Sequence, residues 1–243
     1  MIFTSVARDN LRARRILEAG LNGMPEYRLL GDMETFAVSV RRGKNYGLLE
    51  RARPSDVGEI VAFHNEIAAS GALSPVLDEE WLNRTGADGE ALFRRFLIHR
   101  ENGRIAACLA VWDQRRYKQI VIKKYGQPLA SLRPFWNIWA RCARRQPLPS
   151  AGRRLEQVFL AFLAFAPSVA DREVFFIREA LLTAQALNAD SALFGVLPSS
   201  PSRERLKCAL KPYIYGTRIE SVELRGGSPL PLLGVVHPEV ALL

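Results

Sequence analysis

Residues 158–165 read Val-Phe-Leu-Ala-Phe-Leu-Ala-Phe, an unbroken apolar run. A short run of this kind predicts a β-strand that is covered on both faces of its sheet. Pro167 to Asp171 then predict a turn into a long helix over Arg172–Leu187. A second apolar run, Ser191–Leu197, predicts another covered strand. Together these elements predict an α/β fold with a mixed sheet.

The elements upstream of this centre predict an antiparallel meander. A strand over Leu48–Arg53 precedes a helix that ends before Gly71. The Asn-Gly pair at 102–103 lies between two apolar runs, Phe93–Arg100 and Ile105–Trp112, and is a strong hairpin signal. We predict that Tyr117–Tyr125 adds a third strand to this hairpin.

Downstream, the sequence predicts a helix over Arg203–Leu210 and a strand over Tyr213–Leu224. Near the start of the chain, a strand over Met1–Val6 precedes a helix that ends at Gly20. Two short strands are then predicted, over Tyr27–Leu30 and Thr35–Arg41.

Length and composition exclude several classes of protein. The chain has 243 residues, 48% of them hydrophobic and 24% charged, which is typical of one or two globular domains. Its three cysteines are far apart and predict neither a disulfide framework nor a metal site. No apolar run is long enough to span a bilayer, and the first residues lack a signal-peptide pattern. We therefore expect a cytoplasmic protein without a metal.

The positive charge is concentrated in one region. The formal net charge is +9, and residues 115–154 contain eleven Lys and Arg but no Asp or Glu. Phe135, Trp136 and Trp139 are interleaved with these arginines, and a helix over Leu132–Arg145 would bring the three rings, with Ala143, close to one face.

Four interpretations of this basic region remain open. In the first, the aromatic residues belong to the core and the arginines form a solvated face. In the second, the region binds an anionic small molecule. A single-stranded nucleic acid would also suit rings beside a cationic groove. A basic amphipathic helix with tryptophans suits an anionic membrane surface, which would make this a peripheral contact. Nucleic acid ranks below the small-molecule hypothesis.

From Leu48 to Leu224 the order of elements resembles the GNAT N-acyltransferase superfamily. The hairpin at Asn102-Gly103, the covered strand Val158–Phe165, the long helix after it and the final strand–helix–strand have counterparts there. The resemblance implies a GNAT-like acyl-CoA N-acyltransferase fold. It also implies direct transfer of an acyl group from acetyl-CoA or another acyl-CoA to a small-molecule or peptide amine.

A second resemblance lies at Asn10–Leu21, NLRARRILEAGL, which is similar to a late helix of the same family. It implies that residues 1–45 are the C-terminal part of a further GNAT-like domain, while 46–243 form the main one. The alternative is that 1–45 are an extension that docks on the main domain. In the first case, we expect this segment beside the main sheet and not within its centre.

The resemblance implies that acyl-CoA binds in an open V between the strands at 158–165 and 191–197. Its pantetheine arm would lie along Phe162, Leu163, Ala164 and Phe165. The pyrophosphate would lie on the loop into the long helix, near Val169, Ala170 and Arg172. The family's Q/R-x-x-G-x-G/A signature is absent there, because both glycines are missing and Asp171 and Glu173 stand nearby.

The resemblance also implies a base for the amine and an acid for the thiolate. Glu156 is the carboxylate candidate, although it equally fits a solvated strand end. Tyr213 and Tyr215 are the acid candidates, although their alternation also fits a plain strand. The rival hypothesis is a catalytically degenerate GNAT-like module that binds an anionic ligand, a membrane surface or a partner protein. The position of His64 on the apolar face of its helix is typical of a core histidine. His237 lacks the spacing to a cysteine or carboxylate that a metal site needs.

Overall fold

A computed structural model describes residues 2–21, 24–86, 89–143, 147–223 and 235–243. The strands are β1 (Ile2–Ala7), β2 (Glu26–Ser39), β3 (Glu50–Arg51), β4 (Gly71–Ala72), β5 (Phe96–Glu101), β6 (Arg104–Trp112), β7 (Gln157–Phe165), β8 (Ser191–Val196), β9 (Tyr213–Glu223) and β10 (Val235–Val236). The helices are α1 (Leu11–Glu18), α2 (Val57–Ala68), α3 (Glu79–Asn83), α4 (Leu129–Cys142), α5 (Glu173–Ala186) and α6 (Arg203–Leu210). Short 3-10 helices precede α2, β5 and α5.

Eight strands form one mixed sheet in the order β1-β9-β2-β8-β7-β6-β5-β3. The fold class predicted from the sequence is thereby confirmed. The hairpin is confirmed as well: β5 and β6 pair antiparallel across Asn102 and Gly103, both of which have positive φ. A two-residue turn of this kind needs positive φ at both positions, which Asn and Gly tolerate best.

The sheet is covered on both faces, which explains the apolar runs in β7 and β8. Helices α2 and α3 and the C-terminal residues Val240 and Ala241 pack on one face. Helices α5 and α6 pack on the other. Alternate residues of a strand point to opposite faces, so strands in this position are apolar at every residue. The strand β7 shows this directly, since Val158 and Phe159 belong to opposite layers and both are buried.

Strands β1 and β2 of the N-terminal segment lie in the main sheet, whereas the further-domain hypothesis for 1–45 implied a place beside it. Strand β2 is inserted between β8 and β9, pairing antiparallel with both, and β1 forms the sheet edge beside β9. The physical reason is that β2 is one long strand, buried from Met33 to Ser39, instead of the two short strands predicted. A strand with that apolar half is stable only when it is covered. A further-domain origin for 1–45 stays a hypothesis.

Two other predictions need correction. Tyr117–Tyr125 is not a strand: among the described residues its ladder contact is an isolated bridge between Val121 and Arg154. The basic helix runs over Leu129–Cys142 instead of Leu132–Arg145, and Arg144, Arg145 and Leu224 lie outside the described residues. Among the described helices, none has the length and apolar content needed to cross a membrane.

Candidate functional site

The central feature of the sheet is a gap between β7 and β8. The two strands pair in parallel at Gln157, Val158 and Phe159, opposite Ser191, Ala192 and Leu193, and their ladder ends there. On its other side β7 stays paired with β6 as far as Phe165. Residues 160–165 therefore have one edge that β8 leaves open, and such an edge is a template for an extended ligand. The V implied by the resemblance is present.

A bulge in β7 lies inside this gap. Phe162 and Leu163 together oppose one residue of β6, and Phe162 has φ of 55°. A left-handed conformation costs a residue with a side chain about 1–2 kcal/mol. The Phe162 ring compensates by packing between Phe96 and Trp112, with centroids 5.8 and 5.9 Å away. Strain held by surrounding packing is typical of functional sites.

A cavity of about 420 Å³ lies at the gap. A second of about 370 Å³ adjoins it and shares Leu163, Gly195 and His237 in its lining. Of the residues predicted to hold the cofactor, Phe162, Leu163 and Ala164 line the first cavity, and Leu163, Phe165 and Ala170 line the second. The structure thus brings the β7 residues predicted for the pantetheine arm to one cleft.

The C-terminal segment closes one end of this cleft. The Glu239 carboxylate accepts hydrogen bonds from the backbone N–H groups of Phe162, at 2.7 Å, and Ala241, at 3.0 Å. Burial raises the pKa of Glu239 above its usual value, against the opposing effect of these backbone donors. Gly195 makes room for this segment, because a Cβ at that position would lie 2.8 Å from Val240 Cγ2. A carboxylate with a raised pKa therefore sits on the bulge.

Two histidines also line the cleft. His64 is buried, with its ring edge against Phe162, and desolvation lowers its pKa despite a hydrogen bond with Asn65. It is therefore neutral at pH 7, as a core histidine would be. His237 is exposed at the cleft. Cys108 lies behind the bulge, where burial raises the pKa of its thiol to about 12 and keeps it protonated.

The loop predicted to hold the pyrophosphate is occupied by its own side chains. Arg172 forms an ion pair with Glu101, and Val169 is fully buried. Arg205 donates to the Ala170 carbonyl at 2.7 Å and to Glu173 at 3.2 Å. Desolvation raises the pKa of Glu173, and hydrogen bonds from Ser202 and Arg205 oppose that shift. The Glu173 carboxylate at the N-terminus of α5 interacts favourably with the positive end of the helix dipole, in the place that a bound anion would take.

Glu156 lies elsewhere, in an ion cluster. Its carboxylate binds Arg115 at 2.7 Å and Arg154 at 2.9 Å. Burial opposes ionisation, but these arginines outweigh it and hold the pKa of Glu156 below its usual value. Arg115 also donates to the carbonyls of Leu187 and Asn188, after α5. The cluster fastens the start of β7 to the end of α5, and Glu156 does not line the cleft.

The two tyrosines are separated from the cleft by β2. Tyr213 and Tyr215 stand on β9 opposite Ala37 and Thr35 of that strand. The Tyr213 hydroxyl accepts a hydrogen bond from Trp136 Nε1 at 3.2 Å, and Tyr215 is 48% exposed. Neither lines the cleft, so the structure does not unite them with Phe162.

Sequence reasoning missed Glu239 and Arg205. The contact between Glu239 and Phe162 joins residues 77 positions apart. Glu239 belongs to a short coil-like tail, where no periodicity indicates a docking site. Arg205 lies on α6 in the first helical turns and shows no signal beyond its charge. Among the described residues, no group of three or more His, Cys, Asp or Glu is placed to hold a metal ion.

Solved structures identify the class of fold. A GCN5-related N-acetyltransferase from Sphaerobacter thermophilus matches with a TM-score of 0.56 and 13% identity, over 94% of this chain and 61% of that one. A glucosamine N-acetyltransferase region of a fungal multi-domain GH3 β-N-acetylglucosaminidase matches with a TM-score of 0.50 and 14% identity, over 88% and 23%. This chain therefore spans less than two thirds of the length of either protein.

From these matches, the chain has the GNAT acyltransferase fold, as the sequence resemblance implied. No protein-family model matches the sequence, and no curated protein matches it. At 13% and 14% identity the likeness concerns the fold, so the chemistry has to come from the residues of the cleft.

Proposed function

We propose that this protein transfers an acyl group from an acyl-CoA thioester to an amine in the cleft between β7 and β8. The observation that carries the proposal is the edge of β7 at residues 160–165, which β8 leaves unpaired and Glu239 contacts at Phe162, beside a cavity of about 420 Å³. A pantetheine arm contains two amides, which suit pairing with an unpaired strand edge. The thioester carbonyl would lie beside the bulge, where the Phe162 N–H holds the Glu239 carboxylate.

In this proposal Glu239 replaces Glu156 as the base. The amine nitrogen attacks the thioester carbonyl carbon, and the new C–N bond forms as the C–S bond breaks. Glu239 takes the proton that the nitrogen loses, and the departing thiolate takes a proton from water. A carboxylate whose pKa is raised above its usual value suits this role. The products are an amide and free CoA.

The pyrophosphate is not expected to contribute to binding as it would in a glycine-rich loop. Glu173 occupies the start of α5 and Arg205 is committed to it, so another anion there would meet a carboxylate. The pantetheine arm and the acyl chain should then supply the binding energy. An acyl-pantetheine, which lacks the nucleotide, should therefore bind as tightly as the corresponding acyl-CoA.

We therefore expect octanoyl-CoA and octanoyl-pantetheine to stabilise the protein equally. At a hundred times the dissociation constant, binding to the native state adds about 2.7 kcal/mol, and so several degrees to the melting temperature. The measurement is a thermal shift with each ligand, with adenosine 3′,5′-bisphosphate as the control that lacks pantetheine. No shift with either thioester overturns the proposal. A shift with octanoyl-CoA alone would show that the nucleotide is bound after all.

A second candidate is a catalytically degenerate module, favoured by one observation. Glu239 already occupies the Phe162 N–H that a thioester oxygen would need. If the C-terminal segment is a fixed part of the core, the cleft holds a ligand without reacting with it. Release of thiol from bound octanoyl-CoA separates these two functions, since only the enzyme reacts with its ligand.

A further inference from the structure

Helix α4 turns apolar side chains outward. Phe135 is 71% exposed, Ile138 61%, Leu132 54% and Trp139 47%. Ala140 on the opposite side is fully buried, and Trp136 is partly buried against Tyr213. The interpretation of these aromatic residues as core is therefore wrong for Phe135 and Trp139. Four large apolar residues that are adjacent on one exposed helix indicate an interaction surface.

A cationic pocket of about 330 Å³ lies beside this helix. Arg133, Asn137 and Arg141 recur every four residues along α4 and line it together with Arg41 and Arg153. Asn137 and Arg133 hold the Leu148 backbone, which fixes the wall of the pocket. Among the described residues that line it, one carboxylate, Asp190, faces four arginines, and its Oδ2 lies 3.8 Å from Arg153 Nη2.

Two of these arginines have no partner in the part of the chain that the structure describes. Within the described residues, Arg41 and Arg141 make no hydrogen bond or ion pair, and both are exposed. Guanidinium groups that line a pocket and are not paired with a carboxylate are suited to binding an anionic ligand. The pocket therefore differs from the cluster around Arg115, whose arginines are neutralised internally.

We propose that α4 and the pocket beside it bind the surface of an anionic phospholipid bilayer. Lipid phosphates would lie at Arg41 and Arg141, while Leu132, Phe135, Ile138 and Trp139 would enter the boundary between headgroups and acyl chains. Charge complementarity selects this occupant, because four arginines and one carboxylate line the described part of the pocket beside the apolar face of α4. A surface that pairs aromatic and aliphatic side chains with basic ones is typical of interfacial helices. The inference stands on α4 and does not depend on the proposed acyl transfer.

The test is co-sedimentation of the whole chain with vesicles of phosphatidylglycerol and phosphatidylcholine in equal parts, against phosphatidylcholine alone. We expect binding to the anionic vesicles, weakened by salt. Arg141→Glu should reduce it about 30-fold, since each basic residue near the surface contributes about 1 kcal/mol and two charges change. Phe135→Ser should reduce it about tenfold through lost apolar burial.

Matched controls keep charge and apolar area comparable. Arg12→Glu changes the same net charge on exposed α1, and Val76→Ser removes an 80% exposed apolar side chain elsewhere. Both should bind as the unaltered protein does. The proposal is overturned if vesicles of the two compositions bind alike or not at all, or if each α4 variant behaves as its control. Salt-sensitive binding of single-stranded DNA, lost in Arg141→Glu while anionic vesicles stay unbound, would assign the surface to nucleic acid instead.

Discussion

Glu239→Gln is expected to lower the rate of acyl transfer by about a hundredfold, the smaller end of what a general base contributes. Glutamine keeps the size of the side chain and an oxygen that can accept the N–H groups of Phe162 and Ala241. It loses the negative charge that takes the proton of the amine. The loss should therefore appear in the rate constant, while the affinity for octanoyl-CoA stays close to that of the unaltered protein.

The pH dependence gives a second readout for the same substitution. The pKa of Glu239 is raised, so the ionised base is lost as the pH falls through that raised value. The rate should fall with it, at a higher pH than for an ordinary glutamate, and the Gln variant should lack this inflection. The measurement is release of free thiol from octanoyl-CoA with an amine acceptor. Glu66→Gln, on the exposed side of α2, is the control and should leave rate and profile unchanged.

Other outcomes point away from catalysis by this carboxylate. Binding of octanoyl-CoA without release of thiol, by the unaltered protein as well as by Glu239→Gln, is what the degenerate-module hypothesis predicts. An unchanged rate with an unchanged profile would show that the proton goes to another group. Either outcome contradicts the proposed role of Glu239.

Phe162→Ala is expected to lower the free energy of unfolding by about 4 kcal/mol, as for other large-to-small core changes. The ring is 3% exposed and packs against Phe96, Trp81 and Trp112, so its removal leaves a cavity at the bulge. Phe135→Ala, at a 71% exposed position on α4, removes the same side chain. It should change the stability by less than about 0.5 kcal/mol.

Phe162→Gly tests the backbone strain separately. Although it removes one more carbon than alanine, it should be more stable than Phe162→Ala by about 1 kcal/mol. Glycine adopts a φ of 55° without the steric cost that any Cβ incurs. Urea midpoints of the four proteins, followed by circular dichroism, give the comparison. A glycine variant less stable than the alanine variant would mean that the bulge carries no strain.

The fold was largely predictable because its signals are local. The apolar runs of β7 and β8 indicate strands covered on both faces, and Asn102-Gly103 indicates the hairpin. The position of β2 was not predictable in this way. Its pairing with β8 and β9 depends on which distant edge is available, and the pattern of one strand contains no such information.

Part of the lining of the candidate cleft could be predicted from the sequence. Residues 162–165 do line the cleft. Their position was predictable because the apolar run 158–165 indicates the covered strand that carries them. Glu156 was an attractive base from its proximity to that strand, yet two arginines next to it in space hold its carboxylate. For α4, helical spacing correctly grouped Phe135 with Trp139, but periodicity cannot say whether an apolar stripe faces a core or solvent.

The most direct test of the cleft is hydrogen–deuterium exchange with and without octanoyl-CoA. If the thioester pairs with the open edge of β7, exchange in residues 160–165 should slow when the ligand is added. The strand β6, already paired on both sides, should change little and serves as the internal reference. Protection of residues 115–154 with unchanged exchange at 160–165 would contradict the assignment of the binding site to the gap between β7 and β8.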